Sequence, residues 1–232
     1  MEHPYLYFVQ LLDLLHIDAL SHFIHGYVHV FYMWIVMIIL IVLGAIAGKN
    51  PNLVPKKVQN IFELFIGGLE EFMIDITGEE GRWFFPFAGT IFLFVFFGNL
   101  IGLVPGFFPP TANLNTTLAL ALCSFCFTHF LGVKHHGANY YKHFLGPVPA
   151  MIPLILPIEL IGHVARILSL MFRLFGNMMG HELVLGILFG LAGAFFAPLP
   201  IMALGIFVAF VQAFVFFLLS VIYFQGAMEH AH

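Results

Sequence analysis

Charged residues are scarce in this sequence. Only 9% of the 232 residues are Asp, Glu, Lys or Arg, whereas a soluble domain carries about 25%. Apolar residues make up 61% of the chain, and 30 residues are Phe. So few charged side chains cannot cover that much apolar surface in water. The composition therefore excludes an ordinary cytosolic enzyme, a disordered chain and a nucleic-acid-binding protein, and it is typical of a polytopic membrane protein.

Cysteine is also scarce, and no metal-binding motif is evident. Cys123 and Cys126 lie in one apolar stretch, which excludes a disulfide-stabilised secreted scaffold. Their CxxC spacing is compatible with a redox role, but we favour small buried hydrophobic side chains. His22, His25 and His29 have helical spacing without an HExxH motif, so we interpret them as interfacial histidines rather than a metal site. No cofactor is predicted.

Stretches without charge mark the predicted membrane crossings. Residues 19–48, 83–133 and 183–228 contain no Asp, Glu, Lys or Arg, and a helix needs about 20 apolar residues to cross a bilayer. The turn sequence PGFFPPT divides the second stretch in two. The sequence predicts an all-α polytopic fold in a single membrane domain over 1–232, with an outer segment at 1–27, a first crossing at 28–47, two crossings within 84–133 (84–104 and 115–133) and a helical hairpin over 150–228 (150–190 and 201–228).

Residues 60–77 differ from the crossings. Apolar residues recur there at helical spacing, while Glu63, Glu70 and Glu71 fall on the other side. This pattern predicts an amphipathic helix. We expect it to lie along the membrane surface, and the alternative, a helix packed on its own chain, stays open.

The basic residues predict the orientation. Lys49, Lys56 and Lys57 follow the first crossing, and Lys134 and Lys142 follow the third. Loops rich in Lys and Arg stay in the cytoplasm. The N-terminus should therefore lie outside and, after five crossings, the C-terminus in the cytoplasm.

The last two crossings are too long for an upright bundle. As a helix, residues 153–190 would extend about 57 Å, whereas the hydrocarbon core is about 30 Å thick. The fourth helix must therefore tilt by nearly 60° or break, and we expect the last two helices to be strongly tilted.

The fourth crossing carries the ionisable residues. Each charge within a membrane costs about 2.5–3.5 kcal/mol on insertion scales, so such residues indicate a function. At about 100° per residue, Glu159, Arg166, Arg173 and Asn177 form one stripe, and Glu182 lies on the opposite face. Beside the stripe lie small residues that would let another helix approach: Gly162, Ser169, Gly176 and Gly180.

These residues allow plain structural interpretations as well. Glu159 and Arg166 could form an ordinary ion pair near the cytoplasmic end, and Arg173 could be a structural arginine bound to a carbonyl or a lipid phosphate. A guanidinium does not release its proton, so Arg173 acts as a permanent positive charge in any case.

Three runs carry a family resemblance. SLMFRLFGNMMGHEL at 169–183 closely resembles the signature of subunit a of the F-type ATP synthase. PPTANLNTT at 109–117 and QAFVF at 212–216 resemble the loop before its third upright span and its last helix. The resemblance covers most of the chain from about residue 85 onward.

The resemblance implies a proton-translocating subunit without a catalytic site for ATP. Its partners would be the ring of c subunits, the b subunits of the peripheral stalk and membrane lipid, in a bacterial inner membrane. Arg173 would lie between two offset half-channels and face the c-ring carboxylates. Glu182, Asn177 and Gln212 would line the outer half-channel, and Glu159 would lie on the cytoplasmic path. The coupling ion, H⁺ or Na⁺, stays open.

The chain departs from the family pattern at one position. Some family members carry a histidine seven residues before the glutamine of the last helix, where this chain has Gly205. A histidine stands instead at His181, beside Glu182. Our hypothesis is that His181 supplies the titratable partner from the fourth helix. The alternatives are that His181 faces lipid headgroups or that Gly205 only permits close packing.

Two other classes of membrane protein stay open at this point. A secondary transporter or channel could use an intramembrane Arg/Glu pair, although we find no inverted repeat. A redox enzyme would need histidine pairs at matching depth, for which His129, His163 and His181 are the candidates.

Overall fold

The computed structural model describes residues 27–48, 57–104, 106–137, 140, 152–192 and 198–228. Within these ranges the fold is all-α, as predicted, with no strand. The described α-helices are α1 (Val28–Gly48), α2 (Lys57–Thr77), α3 (Phe85–Ile101), α4 (Leu114–His136), α5 (Ile152–Ala192) and α6 (Pro198–Met228). Short 3₁₀ turns at Glu79–Trp83 and Pro110–Ala112 precede α3 and α4. Residues 1–26, which include His22 and His25, lie outside the described residues.

Four helices are long and apolar enough to cross a membrane: α1, α4, α5 and α6. The crossing predicted at 84–104 forms the shorter helix α3, with 17 residues and a length of about 26 Å. The helix ends at Ile101, and a Cβ at the next residue, Gly102, would fall on the ring of Pro109. The absence of a side chain at Gly102 lets the end of α3 pack closely against the following turn.

Helix α5 is continuous over 41 residues, with Pro157 inside it. Its length is about 62 Å. Of the two alternatives that the sequence left, a tilted helix or a broken one, the structure contains the unbroken helix. Because it is about twice as long as the hydrocarbon core is thick, it must run steeply oblique in a bilayer.

Helix α6 lies at the centre of the packing. It contacts α2, α3, α4 and α5. Phe216, Phe217 and Phe224 on this helix are fully buried among other phenylalanine side chains. One polar contact crosses this apolar interior, because the hydroxyls of Ser124 on α4 and Ser220 on α6 are 2.8 Å apart. This bond fixes the relative position of two helices whose apolar side chains alone would allow sliding.

Helix α2 packs its apolar side on the chain's own core. Leu69 and Met73 are buried there, while Leu64 on the other side is 78% exposed. After α2 the chain is held by Arg82, whose Nε donates to Glu70 at 3.1 Å. This arrangement is the alternative that the sequence left open for residues 60–77, and a location at the membrane surface stays a prediction.

Candidate functional site

Arg173 lies at the edge of the packed side of α5, between the exposed Phe172 and the fully buried Leu174. Its side chain is half-buried, and its Nη2 donates to Ser169 Oγ at 3.0 Å, one turn earlier on the same helix. The bond to Ser169 holds the guanidinium along the helix axis. The charge is thus positioned by its own helix and not by an acid of the described chain.

Three open glycines lie on the same helix as Arg173. A Cβ added at Gly162, Gly176 or Gly180 would meet no described atom within 4 Å. These glycines therefore do not serve contacts among the described helices, although small residues in membrane helices usually mark close helix contacts. The observation supports the prediction that a helix from outside this chain approaches Arg173.

Two contacts align α5 with α6 past the arginine. Asn177 Nδ2 donates to Gln212 Oε1 at 2.7 Å, and Gln212 is buried. One turn further along α5, a Cβ at Gly205 would fall on the imidazole of His181 and on Leu103. Asn177, Gln212 and His181 were predicted to lie along the outer half-channel. In the structure, Asn177 contacts Gln212, and His181 lies against Gly205.

The imidazole of His181 occupies the space that Gly205 leaves empty. A larger residue at position 205 would collide with it. His181 is half-buried, and its Nε2 is enclosed without a hydrogen-bond partner among the described residues. Of the alternatives raised from the sequence, burial against α6 argues against a side chain directed at lipid headgroups. Close packing at Gly205 remains compatible with the contact, and a titratable role for His181 stays a prediction.

The two acids lie far apart on α5. Glu182 follows Arg173 by about 14 Å along the helix axis, and Glu159 precedes it by about 21 Å. Both side chains are half-buried. The structure therefore places them towards opposite ends of the helix, with the arginine between them.

The ion pair considered between Glu159 and Arg166 is absent from the described part of the chain. The guanidinium carbon of Arg166 lies instead 4.1 Å from the centroid of the Tyr223 ring on α6. A cation over an aromatic face is a favourable contact in an apolar setting. The interpretation was wrong because it considered α5 alone, whereas Arg166 binds the neighbouring helix.

Asn99 is a buried polar residue that was not among the residues predicted for the site. This residue near the end of α3 is 1% exposed. Its Oδ1 accepts from Thr111 Oγ1 at 2.6 Å, while its Nδ2 is buried without a partner among the described residues. Leu103, one turn later, reaches His181 and Gly205. The signal available in the sequence was a lone asparagine in an otherwise apolar crossing.

The weaker candidates take no part in this site. Cys123 and Cys126 are both exposed and unbonded on α4, so their predicted burial was wrong. The outward face of a helix that meets lipid can carry such small apolar side chains. His29 is half-buried in α1, and no group of three metal-ligating side chains occurs in the described ranges.

Comparison with known proteins gives the family. The model of the family described as "ATP synthase A chain" matches residues 30–225. The chain belongs to this family. It is 67% identical over 232 residues to the ATP synthase subunit a of Desulfosudis oleivorans, with all of both chains covered. Its identity to the subunit a of Syntrophobacter fumaroxidans is 59% over 204 residues, which are 88% of this chain and 85% of the relative.

A third relative agrees over its whole length. The ATP synthase subunit a of Citrifermentans bemidjiense is 53% identical over 232 residues, and all of both chains is covered. The match reaches well before residue 85, where the resemblance found in the sequence began. Membership of the ATP synthase A chain family, together with the apolar helices, makes this chain an integral membrane component of the ATP synthase complex. The transporter and redox alternatives lose their support.

Proposed function

We propose that this chain is the non-catalytic, proton-conducting subunit beside the rotating ring of the ATP synthase. The observation that carries the proposal is the position of Arg173 on α5 beside the open glycines Gly176 and Gly180, with no acid of the described chain bound to it. A helix surface of small residues accepts a passing helix at short distance. A carboxylate on that helix would be held in its ionised form by the guanidinium, which keeps its own proton.

The arginine would also prevent a leak. A membrane potential of 100 mV supplies about 2.3 kcal/mol per elementary charge. A proton that crossed without turning the ring would waste that energy. A permanent cation between two half-channels opposes the approach of a second cation, so protons must travel on the ring carboxylates. Family membership and the separation of Glu159 and Glu182 along α5 support two offset half-channels.

The outer half-channel would be lined by Glu182, His181, Asn177 and Gln212. Asn99 extends this set, because its buried amide donor faces no described acceptor and its neighbour Leu103 contacts the space of His181. Histidine titrates near neutral pH and suits proton transfer. Glu159 at the other end of α5 would lie on the cytoplasmic path. This assignment depends on the predicted orientation, with the N-terminus outside and the C-terminus in the cytoplasm.

The proposed partners follow from the same surfaces. The ring of c subunits would face Arg173, Gly176 and Gly180, and the b subunits of the peripheral stalk and membrane lipid would cover other apolar surface. The exposed apolar side chains of α1 and α5 support placement in a lipid bilayer, and the bacterial sources of the relatives support a bacterial inner membrane. No cofactor is required, since the chemistry is proton transfer between side chains, water and the ring.

Replacement of Arg173 tests the proposal. Arg173→Ala should abolish proton-driven ATP synthesis in inverted membrane vesicles and increase passive proton leak. Arg173→Lys should rescue only in part, because an ammonium is shorter and loses its proton more readily when desolvated. The matched control is Arg82→Ala, which removes an exposed arginine bound to Glu70. Near-normal synthesis in membranes carrying Arg173→Ala would refute the proposal.

A further inference from the structure

A second group of titratable side chains lies at the other end of α5 from His181. His129 on α4 and His163 on α5 meet edge to face, with ring centroids 5.1 Å apart. Tyr140 Oη lies 2.9 Å from His129 Nδ1. Phe125 contacts both imidazoles, with ring centroids 4.3 Å from His129 and 5.6 Å from His163. Three groups able to exchange protons thus converge from three segments of the chain.

The tyrosine position depends on a glycine. Tyr140 is 8% exposed, and a Cβ at Gly132 would enter its aromatic ring. Only a residue without a side chain lets Tyr140 lie against α4 and reach His129. The cluster of His129, His163 and Tyr140 is therefore stabilised by the close packing of Tyr140 against Gly132 as well as by the hydrogen bond.

Charges next to the cluster limit its protonation. On α5, Glu159 and Arg166 lie one turn before and one turn after His163. From α6, Tyr223 holds the guanidinium of Arg166. Two adjacent imidazolium ions beside Arg166 would repel each other, while Glu159 favours a single positive charge. The two imidazoles therefore suit the uptake of one proton at a time.

A small cleft lies along α5 between the levels of His163 and Arg173. It is bounded by α4, α5 and α6, its lining includes Thr128, Arg166 and Leu170, and its volume of about 10 Å³ corresponds to about one water molecule. Leu170 lies one turn from Arg173 on α5. Hydroxyl groups follow the same direction, since Thr128 Oγ1 donates to the Ser124 carbonyl at 2.9 Å and Ser124 bonds to Ser220. Polar groups thus line the cleft between the levels of His163 and Arg173 in an otherwise apolar interior.

We propose that His129, His163 and Tyr140 form a proton relay between Arg173 and the cytoplasm. The inference rests on the proposed function and adds three residues to its cytoplasmic path. A proton released near Arg173 reaches His163, and His129 accepts it. His129 then releases a proton from its other ring nitrogen to the Tyr140 oxygen, and Tyr140 passes its own hydroxyl proton to water. One proton enters and one leaves, and each imidazole ends with its proton on the opposite ring nitrogen, so it must return to its first tautomer by exchange with water or by ring rotation before the next transfer.

The test starts from inverted vesicles that carry the complete ATP synthase with the variant His129→Gln, His163→Gln or Tyr140→Phe. The catalytic sector is then stripped from the vesicles, and passive proton conduction through the membrane sector is measured. Glutamine keeps hydrogen bonding but cannot carry the proton, and phenylalanine keeps the ring of Tyr140 without its hydroxyl. The matched control is His135→Gln, which changes an exposed histidine on the same helix. Imidazole added at the cytoplasmic face serves as a mobile replacement for the lost groups.

We expect the three variants to conduct about tenfold more slowly than the wild type, by loss of a general acid–base group. Added imidazole should restore a large part of the rate, which a merely structural defect would not show. Wild-type conduction in all three variants, or a loss that imidazole does not change, would overturn the relay. Arg173→Ala is measured in parallel: if it still makes ATP normally, the proposed function fails, whereas failure of the histidine variants alone overturns only this inference.

Discussion

An exchange of residues between positions 181 and 205 tests the geometry of the outer path. In the structure, the imidazole of His181 fills the space in front of Gly205. Gly205→His alone must displace both this imidazole and Leu103. Overpacking of this kind costs about 1–3 kcal/mol, which corresponds to a change of about 5- to 150-fold in the folding equilibrium constant. His181→Gly alone removes the imidazole and leaves a void.

The double variant His181→Gly with Gly205→His should be more stable than the sum of the two single effects would predict. The new imidazole would enter from α6 the space that the old one left on α5, so the collision with His181 disappears. The contact with Leu103 remains, and recovery should be incomplete. Residues in direct contact show coupling energies of about 0.5–3 kcal/mol. We expect a favourable coupling of about 1 kcal/mol or more in thermal dissociation of the purified complex.

Proton-driven ATP synthesis provides the functional readout. His181→Gly alone should slow synthesis, and the exchanged pair should recover part of the rate. The control is Gly226→His on the same helix, where an added Cβ meets no described atom within 4 Å and no loss of stability is expected. Additive effects of the two changes would refute the contact. Normal synthesis in His181→Gly would refute the role of His181 and leave Glu182 as the acid of the outer path.

Three further predictions concern the topology, the glycine face and the link between α5 and α6. Cysteines introduced at Lys56 and Lys134 should react with a membrane-impermeant reagent from the cytoplasmic side; labelling from outside alone would invert the topology. Gly176→Leu should leave insertion and folding unchanged, because the position is open, but should stop ATP synthesis; normal synthesis would contradict a ring at this face. Asn177→Ala removes the hydrogen-bond donor to the buried Gln212 and should cost about 1–3 kcal/mol of stability in thermal dissociation. An unchanged midpoint of dissociation would contradict the hydrogen bond between Asn177 and Gln212.

The helices could be predicted because a membrane crossing needs a long run without charge. The predicted boundaries 28–47, 115–133 and 201–228 fall within a few residues of α1, α4 and α6. The boundaries predicted for α3 (84–104) are equally close to the observed Phe85–Ile101, but the packing of Gly102 against Pro109 at its end could not be predicted in this way. That contact joins two residues across a turn and leaves no mark in the hydropathy of the chain.

The candidate site was predictable where one helix carries it. Helical periodicity placed Arg173, Asn177 and the neighbouring glycines on adjacent faces of one element, and the structure keeps them there. Contacts between elements were not predictable from periodicity. Arg166 binds Tyr223 on another helix, and the cluster of His129, His163 and Tyr140 joins three segments.

The glycine face of α5 has a mechanical consequence. Side chains that interdigitate across a helix contact hold it in place through many dispersion contacts, each worth about 0.1–0.2 kcal/mol. A rotor whose helices passed such a surface would have to break that set of contacts at every step. If Gly176 and Gly180 face the ring as proposed, few side chains would interdigitate there, and the steric resistance to rotation would be low. Arg173 would then be the main feature that distinguishes one angle from another, so charge and not steric contact would set the stopping points of the rotor.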